Sequence, residues 1–75
     1  MSQLTLYTKL DCHLCDLAHQ MLSELGLRTS MINIQSNAEL LEKYRLIIPV
    51  IVFKDMTELN WPFDANTIQS RLNQR

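Results

Sequence analysis

Seventy-five residues are enough for one domain over 1–75 and sit near the lower limit for a chain that buries its own core. Hydrophobic residues make up 47% and charged ones 20%, with a net charge of −1, and no run of Lys or Arg offers an electrostatic footprint for nucleic acid. Polar residues interrupt every apolar run short of membrane-spanning length, and Met1 leads into strand-like sequence without the features of a secretory signal, so neither membrane insertion nor export is expected.

Leu4, Leu6 and Thr8 alternate with Thr5 and Tyr7, which predicts a strand from about residue 3 to residue 8. Lys9-Leu10-Asp11 turns the chain, with Asp11 placed to cap the helix that follows. Leu14, Leu17, Ala18, Met21, Leu22 and Leu25 recur at helical spacing and predict that one stripe of this helix is apolar. Gly26 is placed to end it at C′, where the left-handed conformation costs glycine nothing. Thr29, Met31, Ile32 and Ile34 mark a second strand within residues 27–35. A strand–helix–strand crossover of this kind is parallel and right-handed in nearly all sheets.

Ser36-Asn37-Ala38-Glu39 has the spacing of a capping box and opens a short helix through about Tyr44, with Leu40, Leu41 and Tyr44 facing inward. Residues 47–53 are apolar and β-branched, a buried third strand. Pro49 belongs at its entry, because a central strand cannot spare the N–H that proline lacks. Lys54-Asp55-Met56 turns the chain into a fourth strand at residues 57–61, polar at alternate positions and expected at the sheet edge. After Pro62-Phe63, Asp64 is a second candidate cap, and Ile68 and Leu72 anchor a C-terminal helix.

Both cysteines fall in Asp11-Cys12-His13-Leu14-Cys15-Asp16, at the predicted start of the first helix. Unpaired amides and the macrodipole favour negative charge there, and the thiolate is the form that attacks disulfides. A bridge between residues three apart closes a loop too small to add much stability, and small secreted domains spend several cysteines on bridges. The pair therefore reads as redox-active, in a reducing cytoplasm. Cys12, the more exposed member, is the candidate nucleophile, and Cys15, at the edge of the apolar stripe, is the candidate resolving thiol. A pair of inert core cysteines is the competing reading.

Protonated His13 lowers the Cys12 pKa, whereas Asp11 and Asp16 raise it. The expected balance is a modest depression, below the free-thiol value of ~8.5 but well above the ~3.5 of the strongest oxidants. Cys12, Cys15 and His19 invite a metal reading, yet Cys12 and His19 stand two turns apart, roughly 10 Å along the axis. One ion does not bridge that span, and two thiolates fall short of the four ligands of structural zinc. No metal is assigned, and His19 reads as a solvent-exposed residue. Lys9 either attracts an acidic substrate group or steadies the thiolate, or is a solvated turn residue, and His13 is either a tuner of the Cys12 pKa or a solvated helix-start residue with no role. Trp61 and Phe63 either border the site or pack in the core; Met21, Met31 and Met56 read as packing.

The order βαβαββα, with Cys-x-x-Cys opening the first helix and Ile-Pro opening the third strand, resembles the thioredoxin fold in its minimal glutaredoxin form. That is an α/β fold with a four-stranded mixed sheet flanked by three helices, and the resemblance covers essentially the whole chain. Tyr7-Thr8-Lys9-Leu10-Asp11-Cys12-His13-Leu14-Cys15 is similar to the glutaredoxin strand-to-helix segment, including a lysine three residues before the first cysteine. Ile48-Pro49-Val50 matches the cis-proline segment of that family. Short bacterial glutaredoxin-like proteins share this Cys-x-x-Cys, the Ile-Pro-Val and a Pro-Phe-Asp near the end.

The resemblance implies a monomeric thiol–disulfide oxidoreductase that reduces protein or glutathione mixed disulfides, with no bound cofactor and with glutathione or thioredoxin reductase as the source of electrons. It also implies a cis Pro49 that turns the Ile48 backbone toward Cys12 to pair with a substrate strand. Two departures bear on glutathione. His13-Leu14 replaces the family's Pro-Tyr between the cysteines, and Trp61-Pro62-Phe63-Asp64 replaces its Gly-Gly turn, keeping only Asp64 of the γ-glutamyl site. A metal or iron–sulfur carrier using the same thiolates, and a redox-inactive interaction module of the same fold, stay open beside the oxidoreductase.

Overall fold

The computed structural model describes residues 4–73, so Gln3, the predicted start of the first strand, lies outside the described residues. The alternating segment forms β1 (Leu4–Thr8), followed by α1 (His13–Glu24), β2 (Thr29–Asn33), a 3-10 turn (Ile34–Ser36), α2 (Ala38–Tyr44), β3 (Val50–Val52), β4 (Glu58–Asn60) and α3 (Ala65–Asn73). The sheet runs β2-β1-β3-β4. β1 lies parallel to β2, with Leu4 opposite Thr29, and antiparallel to β3, with Tyr7 opposite Val50. β3 and β4 are antiparallel, Val50 facing Asn60, which leaves β4 at the edge as its polar alternation predicts. This mixed sheet with three helices is the thioredoxin fold in its minimal form.

The two-residue period of β1 divides the interior. Leu4 and Leu6 join Ala18, Leu22, Ile51, Phe53, Phe63 and Ile68 in the core shared with α1 and α3. Tyr7 points to the other face, where Ile34, Tyr44 and Val50 form a smaller cluster under α2. There the Tyr7 and Tyr44 rings stack with centroids 4.6 Å apart. At the end of α1, Gly26 takes φ +73°. Its amide bonds the Ser23 carbonyl and the Leu27 amide bonds the Leu22 carbonyl, the paired bonds of a Schellman ending.

Several expectations are corrected. The buried stripe of α1 is Cys15, Ala18 and Leu22, flanked by Met21 and Leu25, while Leu14 and Leu17 are exposed. Counting Cys15 as an apolar residue rotates the stripe by one position, because i, i+3 and i+7 starting from residue 15 already fill the face that meets the sheet. In α2 only Tyr44 is fully buried and Leu40 half-buried, whereas Leu41 is exposed. Met31 and Met56 are exposed rather than packed, Met56 at the tip of the β3–β4 hairpin with φ +72°.

The caps also move by one residue. Asn37, not Ser36, caps α2, its side-chain oxygen accepting from the amides of Glu39 and Leu40. Ser36 instead closes the 3-10 turn, its hydroxyl donating to the Asn33 carbonyl at 2.7 Å. Asp11 does not cap α1; it takes the left-handed φ of +56°, and the cap falls on Cys12. Three strands are shorter than predicted, β4 by one residue at each end. β2 yields to the 3-10 turn, where Asn33 accepts from the Gln35 amide at 2.8 Å. β3 begins only at Val50, because the amides of Ile47 and Ile48 both donate to the Tyr44 carbonyl while the chain reverses out of α2. Pro49 stands at the strand entry, buried, with its carbonyl accepting from the Trp61 amide. Among the described residues, no helix is long and apolar enough to cross a membrane.

Candidate functional site

The site begins where β1 ends. Thr8, the last strand residue, is buried; Lys9, Leu10 and Asp11 then run exposed across the end of the sheet. The Leu10 amide donates to the Gln35 side-chain oxygen at 3.3 Å, tying this loop to the 3-10 turn beside it. The left-handed Asp11 redirects the chain, and Cys12 follows in extended conformation, φ −108° and ψ 101°. That places its sulfur over the first turn of α1. The Cys12 Sγ accepts a hydrogen bond from the Cys15 amide at 3.1 Å and serves as the helix cap. A free first-turn N–H that meets a sulfur stabilises negative charge on it.

The two cysteines form a disulfide, with Cα atoms 5.2 Å apart. Their surroundings differ as the helical projection predicts. Cys15 is 2% exposed, in the row of α1 that meets the sheet, whereas Cys12 is half-buried at the protein surface. His13, Asp16 and His19 are exposed on α1. Among the described residues no group of three or more His, Cys, Asp or Glu side chains is arranged to hold a metal ion.

The antiparallel register that sets Tyr7 against Val50 carries Pro49 and Ile48 alongside the segment leaving β1 for Cys12. The structure thus brings Lys9, Cys12, His13, Cys15, Ile48 and Pro49 to one end of the sheet. The Ile48–Pro49 peptide is cis, as the family resemblance implies. The Ile48 N–H, however, is already engaged with the Tyr44 carbonyl at 3.1 Å. Asp64 caps α3 with one carboxylate oxygen while its side chain stays exposed. Its carboxylate accepts from the Thr67 amide at 2.8 Å at the start of α3, and hydrogen bonds from the Thr67 amide and hydroxyl hold its carboxyl below the usual range. Phe63 packs in the core and Trp61 lies half-buried edge-on against it, centroids 5.0 Å apart.

Three features had no signal in the sequence. A second cis peptide joins Trp61 to Pro62. Gln35 reaches Leu10 across a separation of 25 residues. On the α2 face, Tyr7, Leu40, Lys43, Tyr44, Val52 and Glu58 line much of a cleft of about 330 Å³. There the Tyr44 hydroxyl donates to Glu58 Oε2 at 2.6 Å and Lys43 Nζ approaches the same oxygen at 3.9 Å. Burial, and then the bond to Glu58, push the Tyr44 hydroxyl above its ordinary pKa. The Tyr44 oxygen, and then Glu58, hold the Lys43 ammonium above its own.

A buried cysteine sulfur one turn behind an accessible one at the start of the first helix of a thioredoxin fold defines a Cys-x-x-Cys protein of the redox type. Within that class the chain belongs to the glutaredoxin-like domain family (DUF836), whose model it matches over residues 3–73. It is similar to the target protein XcR50 from X. campestris, at 38% identity and TM-score 0.86 in the crystal, over 93% of this chain and 95% of that one. The solution structure of XcR50 gives TM-score 0.85 over 97% and 94%. Protein Ne2328 from Nitrosomonas europaea is similar at 26% identity and TM-score 0.79, over 93% of this chain and 89% of that one. No curated protein matches the chain.

Proposed function

We propose that the chain is a thiol–disulfide oxidoreductase that reduces disulfides through Cys12 and Cys15. The observation that supports this most directly is the asymmetry of the pair, with Cys12 at the surface under a helix amide and Cys15 2% exposed behind it. In the reduced protein the Cys12 thiolate attacks one sulfur of a substrate disulfide. A Cys12–substrate disulfide forms, and the other substrate sulfur leaves as a thiolate and takes a proton from water. Cys15 then gives up its proton and attacks the Cys12 sulfur. The mixed disulfide breaks, the second substrate thiolate leaves, and the intramolecular disulfide seen here remains. Two electrons pass to the substrate, and an external thiol reductant, glutathione or thioredoxin reductase, returns them.

The cysteine usage, two residues in one redox motif, fits a protein working in the reducing cytoplasm. Lys9 and His13, exposed beside Cys12, are the residues that tune its thiolate or meet an acidic substrate group. Cys12→Ser should abolish turnover, and Cys15→Ser should accumulate a covalent substrate complex visible by intact mass. Turnover that survives Cys12→Ser refutes the assignment. Failure of both glutathione and thioredoxin reductase to reduce the disulfide points to an interaction module instead. A coloured preparation with stoichiometric metal, purified without added metal, points to a carrier.

A further inference from the structure

We infer that Gln35 is a positioning residue for Cys12, its side-chain oxygen holding the loop that sets the sulfur over the first turn of α1. The inference rests on the oxidoreductase reading above, in which that sulfur attacks, and adds a residue that governs it from another segment. β1 and β2 run parallel as far as the pair Thr8–Asn33, where the two backbones part. One turns toward Cys12 and the other winds into the 3-10 turn. Leu4 turns its amide to β2, bonding the Arg28 carbonyl, and the two-residue period of the strand aims the Leu10 amide the same way. A continued β2 would meet it with a backbone carbonyl, but the strand has ended. The Leu10 amide donates instead to Gln35 Oε1 at 3.3 Å, so a side chain carries the ladder one step past the last strand pair.

Gln35 stands on a fixed base, whereas the loop it holds is not fixed by packing. Ile34 beside it is fully buried with Tyr44 and Val50, Asn33 Oδ1 accepts from the Gln35 amide at 2.8 Å, and the Ser36 hydroxyl donates to the Asn33 carbonyl at 2.7 Å. Lys9, Leu10 and Asp11 are all exposed, Leu10 by 72%. Yet this loop carries the left-handed Asp11, φ +56°, a conformation that a residue other than glycine keeps where its surroundings impose it. That turn delivers Cys12 in extended backbone, with Sγ 3.1 Å from the Cys15 amide. Released from Gln35, the loop visits the commoner right-handed and extended conformations at Asp11, and these carry the sulfur off the amide. The helix N–H then meets the Cys12 thiolate for a smaller share of the time, and its stabilisation of the thiolate falls. Gln35 acts on the reacting atom through the loop.

The test is alkylation of Cys12 by iodoacetamide against pH in the reduced protein, read by intact mass, for the wild type, Gln35→Ala and Gln35→Glu. All three are measured in ~1 M salt, where a Debye length of ~3 Å screens the charge that Glu adds. Gln35 is exposed, so the variants fold. Loss of the acceptor in Gln35→Ala should raise the alkylation midpoint by about 0.5 pH unit, about a threefold loss of thiolate below that midpoint. Gln35→Glu, which keeps a side-chain oxygen at the same reach, should restore the wild-type midpoint. Exchange of the Leu10 amide proton should quicken in Gln35→Ala and not in Gln35→Glu. Urea denaturation completes the set, because a merely structural role lowers the urea midpoint and leaves the alkylation midpoint where it was. An unchanged alkylation midpoint in Gln35→Ala, or an equal rise in Gln35→Glu, overturns the inference. Reduction of hydroxyethyl disulfide by the wild type is measured beside these and bears on the oxidoreductase reading alone. Its failure overturns that reading, and the shift in Gln35→Ala with rescue by Gln35→Glu still supports the positioning of the sulfur.

Discussion

Replacing Ile68 by Ala probes whether α3 belongs to the domain that supports the site. Ile68 is fully buried, on the helix that packs with α1 against one face of the sheet, in one cluster with Leu6, Leu22 and Ile51. The substitution removes three carbons, about 2.4 kcal/mol of transfer free energy at ~0.8 kcal/mol per methylene. The cavity left among its neighbours adds to this, so a total of about 3–4 kcal/mol is expected within the usual range of ~2–5. A domain of this length has roughly 4–11 kcal/mol of stability in all, so the variant should lose about a quarter of it or more. Urea denaturation of the oxidised protein, followed by far-UV circular dichroism, gives the number directly, and Tm should fall by about 12–30 °C. Leu41→Ala is the companion measurement, because exposed Leu41 should change stability by no more than ~0.5 kcal/mol. A loss below ~1 kcal/mol for Ile68→Ala would show that α3 is not packed as described, and a large loss for Leu41→Ala would return α2 to the orientation that its sequence pattern suggests.

Three further outcomes follow from hydrogen bonds. Asn37→Ala should cost about 1 kcal/mol through loss of the α2 cap, whereas Ser36→Ala should cost clearly less; chemical denaturation of the two variants distinguishes them, and the reverse order restores the Ser36 capping box. The Tyr44 hydroxyl has a folded pKa above its unfolded value, so its contribution is complete below the unfolded pKa and is lost as pH rises through the folded one. Stability should therefore decline above about pH 10, and Tyr44→Phe should make that decline shallower in an alkaline denaturation series. Asp64 behaves oppositely, its folded pKa being depressed by Thr67. Its contribution is present above about pH 4 and disappears as pH falls through the folded value, so Asp64→Ala should lower stability at pH 7 and flatten the acid limb of the unfolding curve.

Much of the architecture is written in local periodicity, and the misreadings share a cause. β1 is legible because Leu4, Leu6 and Thr8 all face one core. The end of α1 is legible because glycine adopts, at no steric cost, the left-handed φ that its Schellman bonds require. The face of α1 is not legible at Leu14 and Leu17 because a cysteine also packs as a small apolar residue, and leaving Cys15 out of the stripe shifts its centre. The caps slipped by one residue because Asp11 and Ser36 precede Cys12 and Asn37, which can also accept, and backbone angles decide between neighbours. Of the candidate site, the cysteine pair could be read from motif spacing and the proline from the family resemblance. The engagement of the Ile48 N–H and the link from Gln35 to Leu10 could not, since they depend on how separate segments meet at the end of the sheet.

The sulfur that caps α1 gives the protein a built-in reporter. Any chemistry that changes the electron density on Cys12, whether ionisation, alkylation or a bond to a substrate, alters the acceptor that the Cys15 backbone proton sees. A nitrogen–proton correlation spectrum should therefore move the Cys15 resonance first and furthest at each such change, making one peak a gauge of the state of the neighbouring atom.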